Sequence, residues 1–308
     1  MTTTRIPSEE VTTGGVVELR PRLLGLAYRM LGDYDDAEDV VQEAFLRWQS
    51  ADQASVRSRE AWLVTVTTRL AVDQLRRAGK ERAEYPGPWL PEPIATDAAR
   101  VTGTTPAPND AVELASDLSM ALLVLLEKLR PEERAAFLLR EVFDVGYEEI
   151  AQILERSEDA VRQMVHRARN RVHTGRPRVA LPEGEHERLL ERFTKAIVED
   201  DAEGLIALLS PDVVLATDGG GRARAALNRI VGREHVSKFL FGVKRKGAAD
   251  QIIQLTRLNG EPALVTLKDG VVTSTCSIEV DSTGIRALHI MRNPEKLRHT
   301  LEPTEPLV

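Results

Sequence analysis

Gly146-Tyr147-Glu148-Glu149-Ile150-Ala151-Gln152-Ile153-Leu154-Glu155-Arg156-Ser157-Glu158-Asp159-Ala160-Val161-Arg162-Gln163-Met164-Val165-His166-Arg167-Ala168-Arg169-Asn170-Arg171-Val172 is the stretch from which this fold is read. Residues 147–154 predict a short helix with Ile150, Ala151 and Leu154 turned inward, and small Ala151 lets a second helix lie close. Glu155-Arg156 makes the turn, without a glycine. Ser157 is placed to cap the next helix, with Glu158 and Asp159 in its first turn, where the dipole favours acids. Val161, Val165, Ala168 and Val172 fall at i, i+4, i+7 and i+11 and form a buried stripe. Arg162, Gln163, His166, Arg167 and Asn170 fall opposite, with no lysine or glutamate pairing expected among them. Arginine can pair bidentately with guanine edges and glutamine with adenine, whereas Arg169 and Arg171, nearer the flanks, suit phosphates. The reading is a helix-turn-helix for duplex DNA; the bland competitor is a solvated arginine face.

Charge supports two different partners. From Asp33 to Glu43 there are six acids and no base, and from Arg156 to Arg178 seven arginines stand against Glu158 and Asp159. A field focused on one face attracts phosphates even though the whole chain carries a formal charge of −7. No stretch approaches the ~20 apolar residues of a membrane helix, so no membrane partner is expected. The chain's one cysteine, Cys276, excludes an internal disulfide and points to the cytoplasm. No cofactor and no metal site are expected.

The 308 residues suggest two or three domains. Residues 1–15 read as a disordered tail. Leu19, Leu23, Leu26, Ala27, Met30 and Leu31 recur at helical steps, Gly32-Asp33 breaks the pattern, and Ala37, Val40, Val41, Ala44, Phe45 and Trp48 resume it. Ser58 can cap a third helix through Trp62, Leu70 and Leu75. This helical unit spans 16–84. Residues 85–110 hold six of the sixteen prolines, so no helix crosses them. They form a linker with an extended Trp89-Leu90-Pro91-Glu92-Pro93, whose Trp89 is expected to dock. Helices return over 111–178, with Leu118, Leu122, Leu125, Leu126 and Leu129 in a stripe and Pro131 opening the helix after it. Over 183–300 two helices precede strand-like runs, with hairpin signals at Asn259-Gly260, Asp269-Gly270 and Ser282-Thr283-Gly284, predicting an α+β domain on a mostly antiparallel sheet. Residues 301–308 form a second tail.

Asp36-Ala37-Glu38-Asp39-Val40-Val41-Gln42-Glu43-Ala44-Phe45-Leu46-Arg47-Trp48 resembles the part of bacterial sigma factors that holds the RNA polymerase clamp. Ala61-Trp62-Leu63 through Asp73-Gln74-Leu75-Arg76-Arg77 resembles the segment that melts and reads the −10 element. The helix-turn-helix resembles sigma domain 4, which reads the −35 element. Without a counterpart of domain 3 between them, the order is that of extracytoplasmic-function (ECF) sigma factors. The resemblance implies a multidomain fold of two all-α sigma domains, domain 2 over 16–84 and domain 4 over 111–178. It implies core RNA polymerase as partner, through the clamp of the β′ subunit, with Asp39, Gln42, Glu43 and Trp48 in contact. Promoter DNA is the second partner: Trp62, Arg69, Arg76 and Arg77 serve the −10 strand, since single strands need cations and stacking surfaces. Arg162, Gln163, His166, Arg167, Arg169 and Arg171 serve the −35 duplex.

Residues 183–300 resemble a SnoaL-like domain, the cone-shaped α+β fold of nuclear transport factor 2. Trp89-Leu90-Pro91-Glu92-Pro93, Asp218-Gly219-Gly220-Gly221-Arg222 and Asn293-Pro294-Glu295-Lys296-Leu297 resemble motifs of the ECF group carrying this domain fused. That implies interdomain roles for Trp89, Leu90, Pro91, Asp218, Gly219, Gly220, Gly221, Arg222, Asn293 and Pro294, and regulation of the sigma core by the fused domain. Asp212, Asp218, Glu234, His235, Asp250 and His289 are the candidates for an acid/base pair, yet none has a catalytic spacing, so no catalytic residue is expected. The competing readings are a SnoaL-like enzyme or small-molecule sensor, its ligand in the cone, with a DNA-binding appendage, and a helix-turn-helix regulator without polymerase.

Overall fold

The computed structural model describes residues 18–95, 119–175, 184–247, 251–300 and 305–306. The two tails (apart from residues 305 and 306), linker residues 96–110, Leu118, Arg176, Arg178 and Asp250 lie outside them.

Helix α1 (Arg20–Leu31) ends where Gly32 turns left-handed, φ 70°, a conformation glycine adopts without a Cβ penalty. Asp33 then caps α2 (Tyr34–Ser50), its side chain accepting the Asp36 N–H at 3.1 Å. Ser58 caps α3 (Arg59–Ala83) through the Ala61 N–H. Helices α4 (Met120–Leu126), α5 (Pro131–Glu141), α6 (Tyr147–Leu154) and α7 (Glu158–Gly175) complete the helical part. Pro131 sits at the start of α5, where a missing N–H costs nothing. A single apolar core runs through both helical units, from Leu23, Tyr28 and Trp48 to Leu126, Phe137, Ile150 and Val165.

The C-terminal part carries α8 (Glu185–Val198), α9 (Ala202–Leu208), β1 (Leu209–Asp218), β2 (Ile230–Val231) and α10 (Arg233–Lys246). Strands β3 (Gln251–Leu258), β4 (Glu261–Lys268), β5 (Val271–Asp281), β6 (Gly284–Met291) and β7 (Glu305–Pro306) follow. The sheet order is β2-β1-β6-β5-β4-β3-β7, with β1 and β6 parallel and the other pairs antiparallel. The turns at 259–260 and 269–270 place Asn259 and Asp269 left-handed ahead of their glycines, as two-residue hairpins require. One face of the sheet packs on α8–α10 through Leu190, Phe193, Leu205, Leu215, Val236 and Leu288. The other face carries Ala216, Met291, Ala263 and Val265, and the linker residues Leu90 and Ala95 cover it. The linker continues the sheet's pairing with a bridge from Ala95 to Leu258.

Gly32 and Gly79 make opposite predictions. A Cβ on Gly32 would meet Trp89 Cη2 at 2.8 Å on a left-handed backbone, whereas one on Gly79, inside α3, meets nothing within 4 Å. Gly32→Ala is expected to destabilise by at least about 1–2 kcal/mol, and Gly79→Ala to stabilise by about 0.5–1 kcal/mol. Denaturant unfolding of the two variants checks the opposite signs.

Candidate nucleic-acid interface and domain junction

The second helix of the helix-turn-helix divides its faces as its spacing predicts. Val161, Val165, Ala168 and Val172 are buried against the core, and Arg162, Gln163, His166, Arg167 and Asn170 are exposed. The turn without glycine is made by Glu155 in the left-handed region, φ 56°, with the Arg156 N–H on the Ala151 carbonyl at 3.0 Å. In α6 the inward residues are Ile150, Ala151 and Ile153. Leu154 is only half-buried, because the helix ends on it and the chain turns away.

The arginines are not unpaired, contrary to the sequence expectation. Arg162 binds Glu158 one turn earlier and stacks 4.4 Å over the Tyr147 ring. Arg169 pairs with Glu141 at 2.6 Å. Arg167 and Arg171 share Glu133 at 3.3 and 2.8 Å. The acids come from α5 and from the first turn of α7 itself, and only folding brings α5 alongside.

On α2, Asp39 and Gln42 are exposed and Glu43 is half-buried, bound to Arg47 at 2.8 Å. Trp48 differs from its expected role in a polymerase contact. It is 5% exposed and packs edge-on against Trp62, ring centroids 5.2 Å apart, so both tryptophans hold α2 on α3. The basic face of α3 also finds partners within the protein. Arg69 donates to the Ile153 and Gln152 carbonyls at 2.9 and 3.0 Å, filling the C-terminal end of α6, where orphan carbonyls and the dipole favour a cation. Arg76 binds Glu132 of α5 at 2.6 Å, and Asp73. Arg77 stays exposed, its Nε 3.3 Å from the Asp73 carbonyl. Buried Arg134 of α5 completes the contact by donating to the Met30 carbonyl and to Glu127.

At the domain junction, Asp218 has no exposed surface. Its carboxylate accepts the Tyr85 hydroxyl at 2.6 Å, the Leu90 N–H at 2.9 Å, the Lys296 ammonium at 2.9 Å and the Gly220 N–H at 3.0 Å. Burial lowers the Lys296 pKa, and the Asp218 charge opposes that shift. The Lys296 ammonium also donates to the Leu90 carbonyl and stands 3.8 Å over the Trp89 ring, which Arg82 of α3 approaches to 3.9 Å. Trp89 thus joins the end of α3 to the C-terminal domain through two cations. Pro91 is buried beside them. Gly220 and Gly221 are both left-handed and pass so close to Asn293, Tyr85 and Pro86 that a Cβ on either would lie within 3.0 Å of one of them. Gly219 is buried, and a Cβ there would meet the Ala223 carbonyl at 2.2 Å. Asn293 donates to the Tyr85 hydroxyl at 3.1 Å. Arg222 and Pro294 stand outside the junction: both are exposed, and Arg222 pairs with Glu295 at 2.6 Å.

Sequence reasoning missed a second set of junction residues. Glu92 is buried, with its carboxylate on the Tyr34 N–H at 2.7 Å. Burial raises its pKa to about 8; the Tyr34 bond opposes this, and the charges of Asp33 and Asp35 add to it. Its carbonyl accepts the Tyr28 hydroxyl, which accepts from Asn259, the first residue of a hairpin turn. His299 binds Asp35 at 2.8 Å and packs on Tyr34. Glu92 stood in the linker motif only as part of its pattern, Asn259 read as a turn, and Tyr28 and His299 carried no signal in the sequence.

The candidate acids and bases of the C-terminal domain do not converge. Asp212, Glu234 and His235 are exposed, Asp218 is held in the junction, and His289 is buried against Glu279 at 2.7 Å. Among the described residues, no three His, Cys, Asp or Glu side chains cluster to hold a metal, and no helix is long and apolar enough to cross a membrane.

Residues 16–81 match the family Sigma-70 region 2, and residues 119–172 match Sigma-70, region 4. The chain is 38% identical over 289 residues, 90% of each chain, to the ECF RNA polymerase sigma factor SigJ of Mycobacterium tuberculosis (strain ATCC 25618 / H37Rv). It is 29% identical over 281 residues, 90% of this chain and 92% of the relative, to the probable ECF RNA polymerase sigma factor SigI of the same strain. The crystal structure of Mycobacterium tuberculosis SigJ superposes with a TM-score of 0.74 at 33% identity, covering 94% of this chain and 99% of that one. The match therefore runs through the two helical units, in order, and on through the C-terminal α+β domain. The chain belongs to the extracytoplasmic-function RNA polymerase sigma factor family, the polymerase subunits that recognise promoters.

Proposed function

We propose that this sigma factor docks core polymerase through Asp39, Gln42 and Glu43, reads the −35 duplex with the outer face of α7, and is restrained by its own C-terminal domain. Sigma factors are not enzymes in the usual sense, and the reading assigns no catalytic residue. The observation that carries the restraint is the direction of the α3 arginines. Arg69 and Arg76, assigned to the −10 strand, are bound to α6 and α5. Promoter capture requires those contacts to open. Arg82, at the end of the same helix, is tied through Trp89 to Lys296 of the C-terminal domain. Opening the two helical units therefore works against the junction.

Arg162→Ala is expected to cost about 1–3 kcal/mol of discrimination at the −35 element. Competition binding of holoenzyme to promoter and random duplexes measures it, and equal loss on both would contradict base reading. Asp218→Asn leaves the Lys296 ammonium buried without its counter-charge, a change that costs about 3–5 kcal/mol. The expected result is a larger radius of gyration in small-angle scattering. Run-off transcription by that full-length variant should then rise toward the level of a chain ending near Arg178. Unchanged transcription with separated domains would refute restraint.

Glu92 makes the junction pH-dependent. Its folded pKa of about 8 lies above the ordinary 4.5. Its neutral form is therefore the one the fold favours, fully present at acid pH and lost as pH rises through about 8. Glu92→Gln is permanently neutral. It should be more stable than the parent at pH 8, with the difference shrinking toward pH 5. A stability difference that is flat with pH would show that Glu92 does not titrate in this window.

A further inference from the structure

Glu133 lies outside the reading helix, at the third position of α5, and is buried. One carboxylate oxygen accepts from Nε of Arg167 at 3.3 Å. The other accepts from Nη1 of Arg171 at 2.8 Å and from the Arg130 N–H at 3.4 Å. Both arginines keep about half of their side-chain surface exposed, 51% and 50%. They stand one helical turn apart, so one anion serves two cations that project from the same face. The guanidinium is a rigid plane, and fixing one nitrogen fixes the direction of the other donors. For Arg167, with Nε held, both terminal nitrogens remain for a partner. An anion beside a DNA-binding face repels phosphate and weakens binding to every sequence alike. Here it is sustained by the N-terminal dipole of α5, the Arg130 N–H and the two guanidiniums.

We propose that Glu133 is a positioning residue for promoter reading. It sets the guanidinium planes of Arg167 and Arg171 and removes one unit of positive charge from the reading face. The face then gains discrimination between sequences and loses affinity for DNA in general. This rests on the reading of α7 as the −35 helix. Arg167 has the geometry for a base edge, and Arg171, held at a terminal nitrogen, that for a phosphate.

The test uses holoenzyme assembled from the full chain and core polymerase, with three labelled duplexes. They are a promoter recovered by run-off selection from a randomised library, the same promoter with one −35 base pair changed, and a random sequence of equal length. Glu133→Gln keeps an acceptor for the Arg130 N–H but not the charge. The ratio of promoter to changed-promoter affinity should fall about tenfold. Binding to the random duplex should strengthen, and its salt slope should steepen by about one to two. A purely structural role would instead weaken binding to all three duplexes by one factor. In an Arg167→Ala background, Glu133→Gln should change the ratio by no more than about twofold, because the coupled partner is already gone. An unchanged ratio in Glu133→Gln, a parallel fall on all three duplexes, or a full tenfold loss in the Arg167→Ala background overturns the proposal. If Arg162→Ala and Arg167→Ala both leave the ratio intact, the reading of α7 itself fails, an outcome distinct from failure at Glu133 alone.

Discussion

A carboxylate with no exposed surface must collect donors, and Asp218 collects them from three separated stretches of chain. Tyr85 and Leu90 come from the linker, Lys296 from beyond the last long strand, and Gly220 from the adjacent turn. Removing any one of these partners would leave charge or polarity stranded in a dry site, so the four must form together. That requirement fixes the linker's path across the sheet, and the linker fixes the rest. Trp89 reaches Arg82, Glu92 meets the start of α2, and Ala95 pairs with Leu258. The face of the sheet opposite its own helices is thereby a contact surface for the sigma core.

The basic side chains follow one pattern. Arg69, Arg76, Arg82 and Arg134 each bridge the two helical units by donating to carbonyls or carboxylates across them. The same guanidiniums that suit phosphate also suit a helix C-terminus or a glutamate, because the chemistry of recognition is identical. With its arginines so engaged, the α3 face proposed for the −10 strand is turned inward on α5 and α6. Helix α7 keeps an exposed face, and Glu133, Glu141 and Tyr147 contact its arginines.

Much of this was legible because local rules leave little choice. The breaks at Gly32-Asp33 and Pro131, the cap at Ser58, the valine stripe of α7 and the hairpin turns all follow from spacing and backbone preference. Family resemblance carried the order of the domains. Leu154 packs on the core only half-buried and Ile153 joins the inward face unforeseen, because a helix of eight residues has too few turns to define its inward face when the chain turns away at its end. Trp48 and Arg222 were misassigned for a related reason. A residue in a motif can serve the core or the solvent, and spacing alone does not say which.

The sequence by itself determined the helices, the sheet, the two regions of opposite charge and the candidate DNA face, since periodicity and composition are local properties of the chain. Only the tertiary structure decided which partner each charge meets. Glu133 lies 34 residues from Arg167, and Asp218 lies 133 residues from Tyr85. Such pairs leave no periodic trace, because their geometry arises only when separate elements pack and the buried polar groups must be satisfied.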